Sequence, residues 1–252
     1  MVTIKTEKEI GLIRESSRIV ADVLRLLERQ IQPGVVTADL DEFAEDFIRS
    51  SGGIPAFKGY GSDRRNLFPA SICVSVDDEV VHGIPGKRVL KEGEIVSIDV
   101  GVIKKGFYGD GAFTFSVGRV VQEKERLMKI THEALDKGVA QAVEGNHLHD
   151  ISHAVQAHVE AAGFSVVRDL VGHGIGKELH EDPPIPNYGK AKTGLILKEG
   201  MTLAIEPMVN SGVYAVHTGN DGWTIRTADS EPSAHFEHTV VVRKNKAEIL
   251  TV

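Results

Sequence analysis

The order of predicted elements repeats within the chain, and this repeat constrains the fold more than any other feature. Apolar residues at helical spacing predict four helices, at residues 10–31, 37–52, 123–143 and 150–162. Each pair of helices precedes a His-Gly-Ile segment, at His82 and at His173, and then several strands. A Lys-Glu-Gly sequence also precedes Ile98-Asp99 and Ile205-Glu206 at the same distance. Two related halves predict an α+β fold with pseudo-two-fold symmetry and a cleft between the halves.

In each half the helices are expected to back a curved antiparallel sheet. The chain has 252 residues, of which 41% are hydrophobic, and no low-complexity or Ser/Pro-rich linker divides it. A length and an apolar content of this kind fit one substantial core. We therefore expect residues 1–252 to form a single domain.

Two short strands in the first half carry one aspartate each. Residues 95–101 and 107–111 alternate as strands do, and Lys104-Lys105-Gly106 is typical of the turn between them. With the lysines at the tip, Asp99 is predicted to lie directly opposite Asp110, at a Cβ separation of roughly 4.5–5.5 Å. Carboxylates paired among apolar residues repel each other, so a cation between them is expected. A register shifted by one residue would instead place the two acids on opposite faces, with one of them solvated.

Charge and composition exclude several classes of protein. The formal net charge is -7, which supplies no basic field for nucleic acid. Cys73 is the single cysteine, so internal disulfides are excluded and a reducing compartment is indicated. The N-terminus lacks the apolar core of a signal peptide, and no apolar run approaches the ~20 residues of a membrane span. We therefore expect a soluble cytoplasmic protein without nucleic-acid or membrane partners.

Four acidic residues stand singly within apolar strands. Asp99 and Asp110 belong to the first half, and Glu206 takes the place of Asp99 in the second half. Glu237 lies in the last predicted strand, on the same face as His235. A single acid of this kind is ordinarily a charge at the edge of a sheet. Four acids in related positions of two halves instead indicate a functional site.

One histidine, His173, is the favoured ligand to complete this set, although a histidine beside glycine is more often structural. Four carboxylates, one imidazole and no thiolate select a divalent ion such as Mn, Fe, Co or Zn. Four acids exceed the need of one ion and fit two ions about 3.5–4 Å apart with bridging carboxylates. The glycines at 172, 174 and 176 lack the full dinucleotide fingerprint. Cys73 has no nucleophile motif around it and is expected to be a small buried residue.

Further strands are predicted in the second half. Residues 164–171 form one strand, residues 181–192 form a polar, proline-rich loop, and residues 201–207 form another strand. Residues 223–226 and 236–240 are then predicted to form a hairpin with each other.

The motifs that carry these residues closely resemble the type I methionine aminopeptidases, the pita-bread metallopeptidases. The resemblance covers nearly the whole chain and rests on residues 68–73, 80–85, 97–101, 108–110, 172–176, 179–183, 202–207, 221–224 and 236–239. It implies the pita-bread fold, in which two pseudo-symmetric halves of curved antiparallel sheet are backed by helices.

The resemblance also implies roles for individual residues. The metal ligands would be Asp99, Asp110, His173, Glu206 and Glu237, of which Asp110 and Glu237 bridge the ions. The pocket for the methionine side chain would be lined by Tyr60, Phe68, Cys73, Leu179 and Trp223. His82 and His180 would contact the substrate. Asp77, Glu79 and Ser233 stand where some members bind a monovalent cation, and Asp77 replaces a common asparagine.

The activity implied by the resemblance is removal of the initiator methionine before a small second residue. Glu206 would take a proton from water, His180 would hydrogen-bond the carbonyl oxygen or the oxyanion, and His82 would hydrogen-bond the scissile amide nitrogen. The cofactors would be two divalent ions, Co, Mn, Fe or Zn. The substrate would be the nascent chain, at the ribosome, and the protein would be a monomer.

Two alternatives stay open at this point. A prolidase or an aminopeptidase P shares the five ligands but usually carries an extra N-terminal domain, which we do not expect here. A non-catalytic binding module on the same fold typically loses ligands, whereas all five are present in this chain.

Overall fold

A computed structural model describes residues 2–252 of the chain. Within these residues the helices are α1 (Glu7–Glu28), α2 (Thr37–Ser50), α3 (Gln122–Gln141) and α4 (Leu148–Ala161). The strands are β1 (Ile54–Pro55), β2 (Cys73–Val76), β3 (Glu79–Val81), β4 (Ile95–Lys104), β5 (Phe107–Ser116), β6 (Ser165–Val166), β7 (Val171–Gly174), β8 (Glu181–Pro186), β9 (Thr202–Ile205), β10 (Met208–Asn210), β11 (Val216–Thr218), β12 (Ile225–Thr227), β13 (Ser233–His235), β14 (His238–Val241) and β15 (Glu248–Ile249). None of the described helices is long and apolar enough to cross a lipid bilayer.

Each half has its own helix pair and its own hydrophobic core. In the first half, apolar side chains of α1 and α2 pack against β2, β4 and β5. In the second half, α3 and α4 pack against β9, β14 and the neighbouring strands. A reciprocal capping box fixes the start of α1, because the Thr6 hydroxyl accepts from the Glu9 backbone and the Glu9 carboxylate accepts from the Thr6 backbone.

The strands β4 and β9 hold corresponding positions in the two halves. β4 pairs with β2 on one edge and with β5 on the other, and β9 likewise lies between β7 and β14. Asp99 belongs to β4, and Glu206 directly follows β9. The prediction of an α+β fold with two pseudo-symmetric halves of antiparallel sheet is confirmed.

The β4–β5 hairpin has a register that differs from the predicted one by two residues. Residues 105–106 form the turn, with φ angles of 52° and 79°, as a two-residue turn of type I′ requires. Asp99 therefore pairs with Ala112 and Asp110 pairs with Gly101, so the predicted direct opposition of the two aspartates is wrong. Because side chains alternate with a period of two, this shift still leaves both aspartates on one face.

Three local predictions for the second half are wrong. Residues 164–171 are not one strand, because β6 pairs with β10 while β7 pairs with β9 in another sheet. Residues 181–192 are not all loop, because β8 pairs with β7 at the sheet edge, where proline is tolerated. Residues 223–226 and 236–240 do not pair with each other: β12 joins β3 and β11, whereas β14 joins β9 and β15.

Candidate metal centre and adjoining pocket

A cavity of about 170 Å³ is lined by residues of both halves. Its lining includes every residue to which the sequence assigns a divalent-metal, substrate or catalytic role: Tyr60, Phe68, Cys73, His82, Asp99, Asp110, His173, Leu179, His180, Glu206, Trp223 and Glu237. The sequence did not single out five further lining residues: Phe57, Val81, Leu170, Val171 and Met208. All five are apolar residues, a type that carries no sequence signal of a site, although Val81 lies within the 80–85 motif and Met208 adjoins the 202–207 motif.

Four carboxylates from the two halves meet in this cavity. Asp99 and Asp110 come from β4 and β5, Glu206 follows β9, and Glu237 lies between β13 and β14. Asp110 is 4% exposed and Glu237 is 3% exposed. Oδ1 of Asp99 and Oε1 of Glu237 are buried and have no hydrogen-bond partner among the described residues. Buried oxygens without a partner are costly, so this geometry suits a bound cation.

Hydrogen bonds between the two halves hold two of these acids in place. The backbone N–H of Glu237 donates to the carbonyl oxygen of Ala112 at 2.9 Å. Thr239 Oγ1 accepts from the backbone N–H of Asp110 at 3.1 Å and donates to the Asp110 carbonyl oxygen at 2.7 Å. Asp110 and Glu237 are therefore positioned by the seam between β5 and the 237–239 segment.

His173 directs one ring nitrogen at the acids. Its Nδ1 lies 2.9 Å from the carbonyl oxygen of Gly174, and because a carbonyl only accepts, Nδ1 carries the proton. Nε2 is thus left with its lone pair, 3.5 Å from Glu206 Oε1 and 3.9 Å from Asp110 Oδ2. A neutral imidazole in this tautomer has a free lone pair and can bind a metal ion.

The glycines on either side of His173 are required by close backbone contacts. A Cβ on Gly172 would lie 2.4 Å from the carbonyl oxygen of Ala204, and a Cβ on Gly174 would lie 2.2 Å from that of Asp182. Both distances are too short for any side chain, which explains the Gly-His-Gly sequence without a phosphate-binding role.

Burial shifts the pKa of each charged group in this cluster. It raises the pKa of Asp99 to about 7 and that of Glu206 to about 8. It also raises the pKa of Asp110 and of Glu237 well above the ordinary values, and the neighbouring carboxylates add to both shifts. Burial lowers the pKa of His173 to about 3, so the imidazole is neutral. A cation bound among these groups would stabilise the ionised carboxylates and so lower their pKa values.

The donor set fits a divalent metal ion. Asp110, His173 and Glu237 each offer a ligand atom, and these atoms lie within 4.8 Å of one another. Cys73 pairs directly with Asp99 across the sheet, but burial raises the pKa of its thiol well above the usual value. Oxygen and imidazole ligands without a thiolate suit hard or intermediate divalent ions.

An apolar pocket adjoins the acids. The Phe68 and Trp223 rings meet edge to face with centroids 5.3 Å apart, and Phe57 meets Phe68 at 6.5 Å in the same manner. The Trp223 ring is anchored because its Nε1–H donates to the carbonyl oxygen of Asn66 at 3.1 Å. Leu179, which is 3% exposed, packs in the same apolar cluster. Side chains of this kind offer apolar contacts to a bound ligand.

Two further histidines face the cavity. His82 has a φ of 58°, and a Cβ on the following Gly83 would lie 2.2 Å from a backbone oxygen of β2, so both residues fit a tightly constrained turn. Burial lowers the pKa of His82 to about 4, and the neighbouring His235 and His180 contribute. Tyr60 Oη lies 2.5 Å from Nδ1 of His180, whose pKa is lowered by burial.

The residues matched to a monovalent cation site lie outside this cavity. The Asp77 carboxylate accepts from Lys124 Nζ at 2.5 Å, and the Glu79 carboxylate accepts from Arg226 at 2.6 Å. The Ser233 backbone N–H donates to the carbonyl oxygen of Asp77 at 2.9 Å. Both carboxylates are thus paired with cations of the protein itself.

Comparison with known proteins places this geometry in context. Residues 11–244 match the metallopeptidase family M24. The chain is 52% identical over 253 residues to the methionine aminopeptidase of Clostridium acetobutylicum, covering 100% of this chain and 99% of that protein. It is similar to the crystal structure of methionine aminopeptidase from Thermotoga maritima, with a TM-score of 0.96, 46% identity and coverage of 100% and 99%. It is also similar to prolidase from Pyrococcus furiosus, with a TM-score of 0.79, 23% identity and coverage of 99% and 65%, a likeness of fold alone.

Proposed function

The chain belongs to the metallopeptidase family M24, and we propose that it removes the initiator methionine from nascent proteins and peptides with a small second residue. One observation carries the proposal: apolar side chains line the same cavity as a buried cluster of Asp, His and Glu. The prolidase alternative is not favoured, because the full-length relative at 52% identity is a methionine aminopeptidase.

The metal ligands in this proposal come from both halves of the fold. Two divalent ions, Co, Mn, Fe or Zn, would be held by Asp99, Asp110, His173, Glu206 and Glu237, with Asp110 and Glu237 bridging. Bound divalent ions supply Lewis-acid chemistry, which lowers the pKa of water and polarises a carbonyl group. The presence of four acids in one cavity and the buried oxygens of Asp99 and Glu237 without a hydrogen-bond partner among the described residues support this assignment.

Glu206 is the proposed proton acceptor. Its side chain is 13% exposed and lines the cavity, so a water molecule can reach it. Beside bound cations its carboxylate would be ionised, and an ionised carboxylate can accept a proton. It would take a proton from the attacking water and pass it towards the leaving amine.

His180 is proposed to donate a hydrogen bond to the scissile carbonyl oxygen, and Tyr60 sets the tautomer that this requires. Burial raises the pKa of Tyr60, so its hydroxyl keeps its proton, and in this proposal it donates that proton to Nδ1 of His180. Because the ring is neutral, the remaining proton lies on Nε2. That N–H is available to the carbonyl oxygen and binds the developing oxyanion more strongly.

The apolar pocket is proposed to select methionine. Phe57, Phe68, Leu179 and Trp223 offer apolar contacts, and an unbranched thioether chain fills irregular apolar space. One methylene is worth only ~1–3 kcal/mol in such a pocket, so selection against related side chains is limited. A narrow cavity also favours a small second residue.

His82 is proposed to hydrogen-bond the scissile amide nitrogen, and His82→Ala tests this role. We expect turnover to fall by about 10²-fold or more, the usual scale for a positioned proton donor or acceptor, while the metal content stays unchanged. Steady-state kinetics and elemental analysis of the same preparations measure both quantities. His153→Ala, at an exposed position of α4, is the control and should behave as wild type. Loss of metal from the His82 variant would make the residue structural instead.

A peptide assay tests the proposed activity itself. Purified, metal-loaded protein should release methionine from Met-Ala-Ser, should leave an Xaa-Pro peptide intact, and should lose activity when a chelator removes the metal. Preferential cleavage of the Xaa-Pro peptide would support a prolidase-like enzyme. No cleavage of either peptide with Co, Mn, Fe or Zn would indicate a binding module, and either result would overturn the proposal.

The cellular setting follows from the same proposal. We propose that residues 1–252 act as one catalytic domain, as a monomer, in the cytoplasm. The substrate would be the N-terminus of a nascent chain as it leaves the ribosome. The assembly of the cavity from both halves supports the first of these statements, because neither half supplies the whole ligand set.

A further inference from the structure

His235 is a buried histidine without a role in the mechanism above. It ends β13 and is 2% exposed. Neither of its ring nitrogens has a hydrogen-bond partner among the described residues. A buried imidazole without any partner is unusual, so its position calls for a physical reason.

The backbone around His235 is firmly held. Its N–H donates to Oγ1 of Thr114 on β5 at 2.9 Å, and that hydroxyl donates to the His235 carbonyl oxygen at 2.7 Å. His235 also pairs with Met208 of β10. These contacts fix the backbone from which the ring extends, so the ring's approach to the metal centre is built into the fold.

The ring lies beside Glu206. Nε2 of His235 is 3.6 Å from Oε2 of Glu206, whereas Nε2 of His173 is 3.5 Å from the other oxygen, Oε1. His173 is also the histidine near Asp110, so Oε1 is the oxygen that faces the candidate metal ligands. The two oxygens of one carboxylate are thus faced by two different imidazoles.

We propose that His235 is a positioning residue: its Nε2–H donates to Oε2 of Glu206 and holds Oε1 towards the metal centre. This inference rests on the proposed function. In metal sites, the outer oxygen of a ligating carboxylate commonly accepts a hydrogen bond that orients the ligand, and losing that bond costs about 10–100-fold in metal affinity. A contraction of roughly 0.6 Å brings the pair to ordinary N–H···O distance, and an ionised carboxylate is the stronger acceptor.

A pair of substitutions with matched shapes tests the inference. His235→Gln keeps an N–H at the reach of Nε2, whereas His235→Met has a similar shape and no donor. Calorimetric titration of the metal-free proteins with Mn²⁺ should show wild-type affinity within about 3-fold for the Gln variant. The Met variant should bind about 10–100-fold more weakly. Thermal unfolding of the metal-free variants checks that each is folded, and His235→Asn, whose amide does not reach Glu206, replaces the Met variant if that one does not fold.

A double-substitution cycle separates action through Glu206 from general packing. In a Glu206→Gln background, His235→Met should change the Mn²⁺ affinity by less than about 3-fold, because the residue it positions is already altered. An equal loss in both backgrounds would overturn the inference. So would wild-type affinity in the Met variant, or a Gln variant as weak as the Met variant. Each of these outcomes overturns only the role of His235, provided that the wild-type protein releases methionine. If the wild-type protein releases no methionine, the proposed function is contradicted instead.

Discussion

Asp110→Asn and Glu237→Gln are each expected to reduce turnover of Met-Ala-Ser by about 10³-fold or more, the scale of losing a group that acts on the transition state. Both residues are proposed to bridge the two ions, so each substitution removes a negative ligand from both metal positions at once. Both are also nearly isosteric, because an amide replaces a carboxylate without a change of size. The effect is measured as kcat of the purified variants at saturating divalent metal.

The burial of these two residues is the reason for the large effect. An amide at either position leaves the remaining carboxylates to share the cations alone, and its N–H₂ group points a positive dipole into the site. Asp110 N–H and carbonyl groups are held by Thr239, so the backbone of the variant should stay in place. We therefore expect the variant to fold as the wild-type protein does but to lose its catalytic activity.

Asp46→Asn is the matched control, because Asp46 lies exposed on α2, away from the cavity. It should retain wild-type turnover and wild-type thermal stability. Wild-type turnover in the metal-loaded Asp110 or Glu237 variant would refute the bridging assignment.

Removal of the metal is expected to make the stability of the protein fall as the pH rises from 7 to 8. Burial raises the pKa of Glu206 to about 8, and those of Asp110 and Glu237 well above their ordinary values. In the unfolded chain the same carboxyls titrate near pH 4. The folded, metal-free protein therefore keeps protons that the unfolded chain has lost, and raising the pH favours unfolding.

The histidines do not disturb this pH window. Burial lowers the pKa of His82 to about 4 and that of His173 to about 3, whereas the unfolded value is near 6.5. They therefore increase stability as the pH rises towards 6.5, and above pH 7 they are mostly neutral in both states. Between pH 7 and 8 only the carboxyl effect is expected to remain.

The expected slope is about 1.4 kcal/mol of unfolding free energy per pH unit for each retained proton. For a chain of this length each kcal/mol corresponds to about 2–4 °C in Tm, so the metal-free protein should lose roughly 3–6 °C per retained proton. Calorimetric scans of chelated and metal-loaded protein at several pH values measure this difference. The loaded protein should show little slope, because its carboxylates are already ionised.

Asp110→Asn supplies the internal control for the pH experiment, because the variant lacks one of the groups that retain a proton. Its metal-free form should show a shallower slope than metal-free wild type. Parallel curves for the chelated and loaded wild-type proteins would contradict the assignment of the buried carboxyls as the titrating groups.

The sequence predicted the correct face for the two aspartates although it predicted the wrong register. Asp99 and Asp110 share a face for any even shift of the ladder, so the error of two residues changed their partners but not the face on which they lie. The repeat of helix pairs and strands likewise led to the two-halved fold, because the pattern of apolar residues follows the local period of each element. Local periodicity was therefore sufficient for the architecture and for the faces of the strands.

Local periodicity does not predict which distant strands pair with each other. The residues at 223–226 and 236–240 have hairpin-like patterns, yet β12 pairs with β3, nearly 150 residues earlier, and β14 pairs with β9. The choice of partner depends on packing across the whole fold, which a local pattern does not encode. Phe57 gave no signal for a similar reason: it reaches the cavity through contact with Gly101, where no Cβ could fit.

The seam between β5 and the 237–239 segment has an implication for how the cavity can be assembled. The first half contributes two acids and the second contributes a histidine and two glutamates, so a polypeptide equal to either half alone would lack part of the proposed ligand set. Two separate half-molecules would have to dock face to face to form the cavity. One continuous chain makes that encounter intramolecular, so the cavity forms without a concentration-dependent association step.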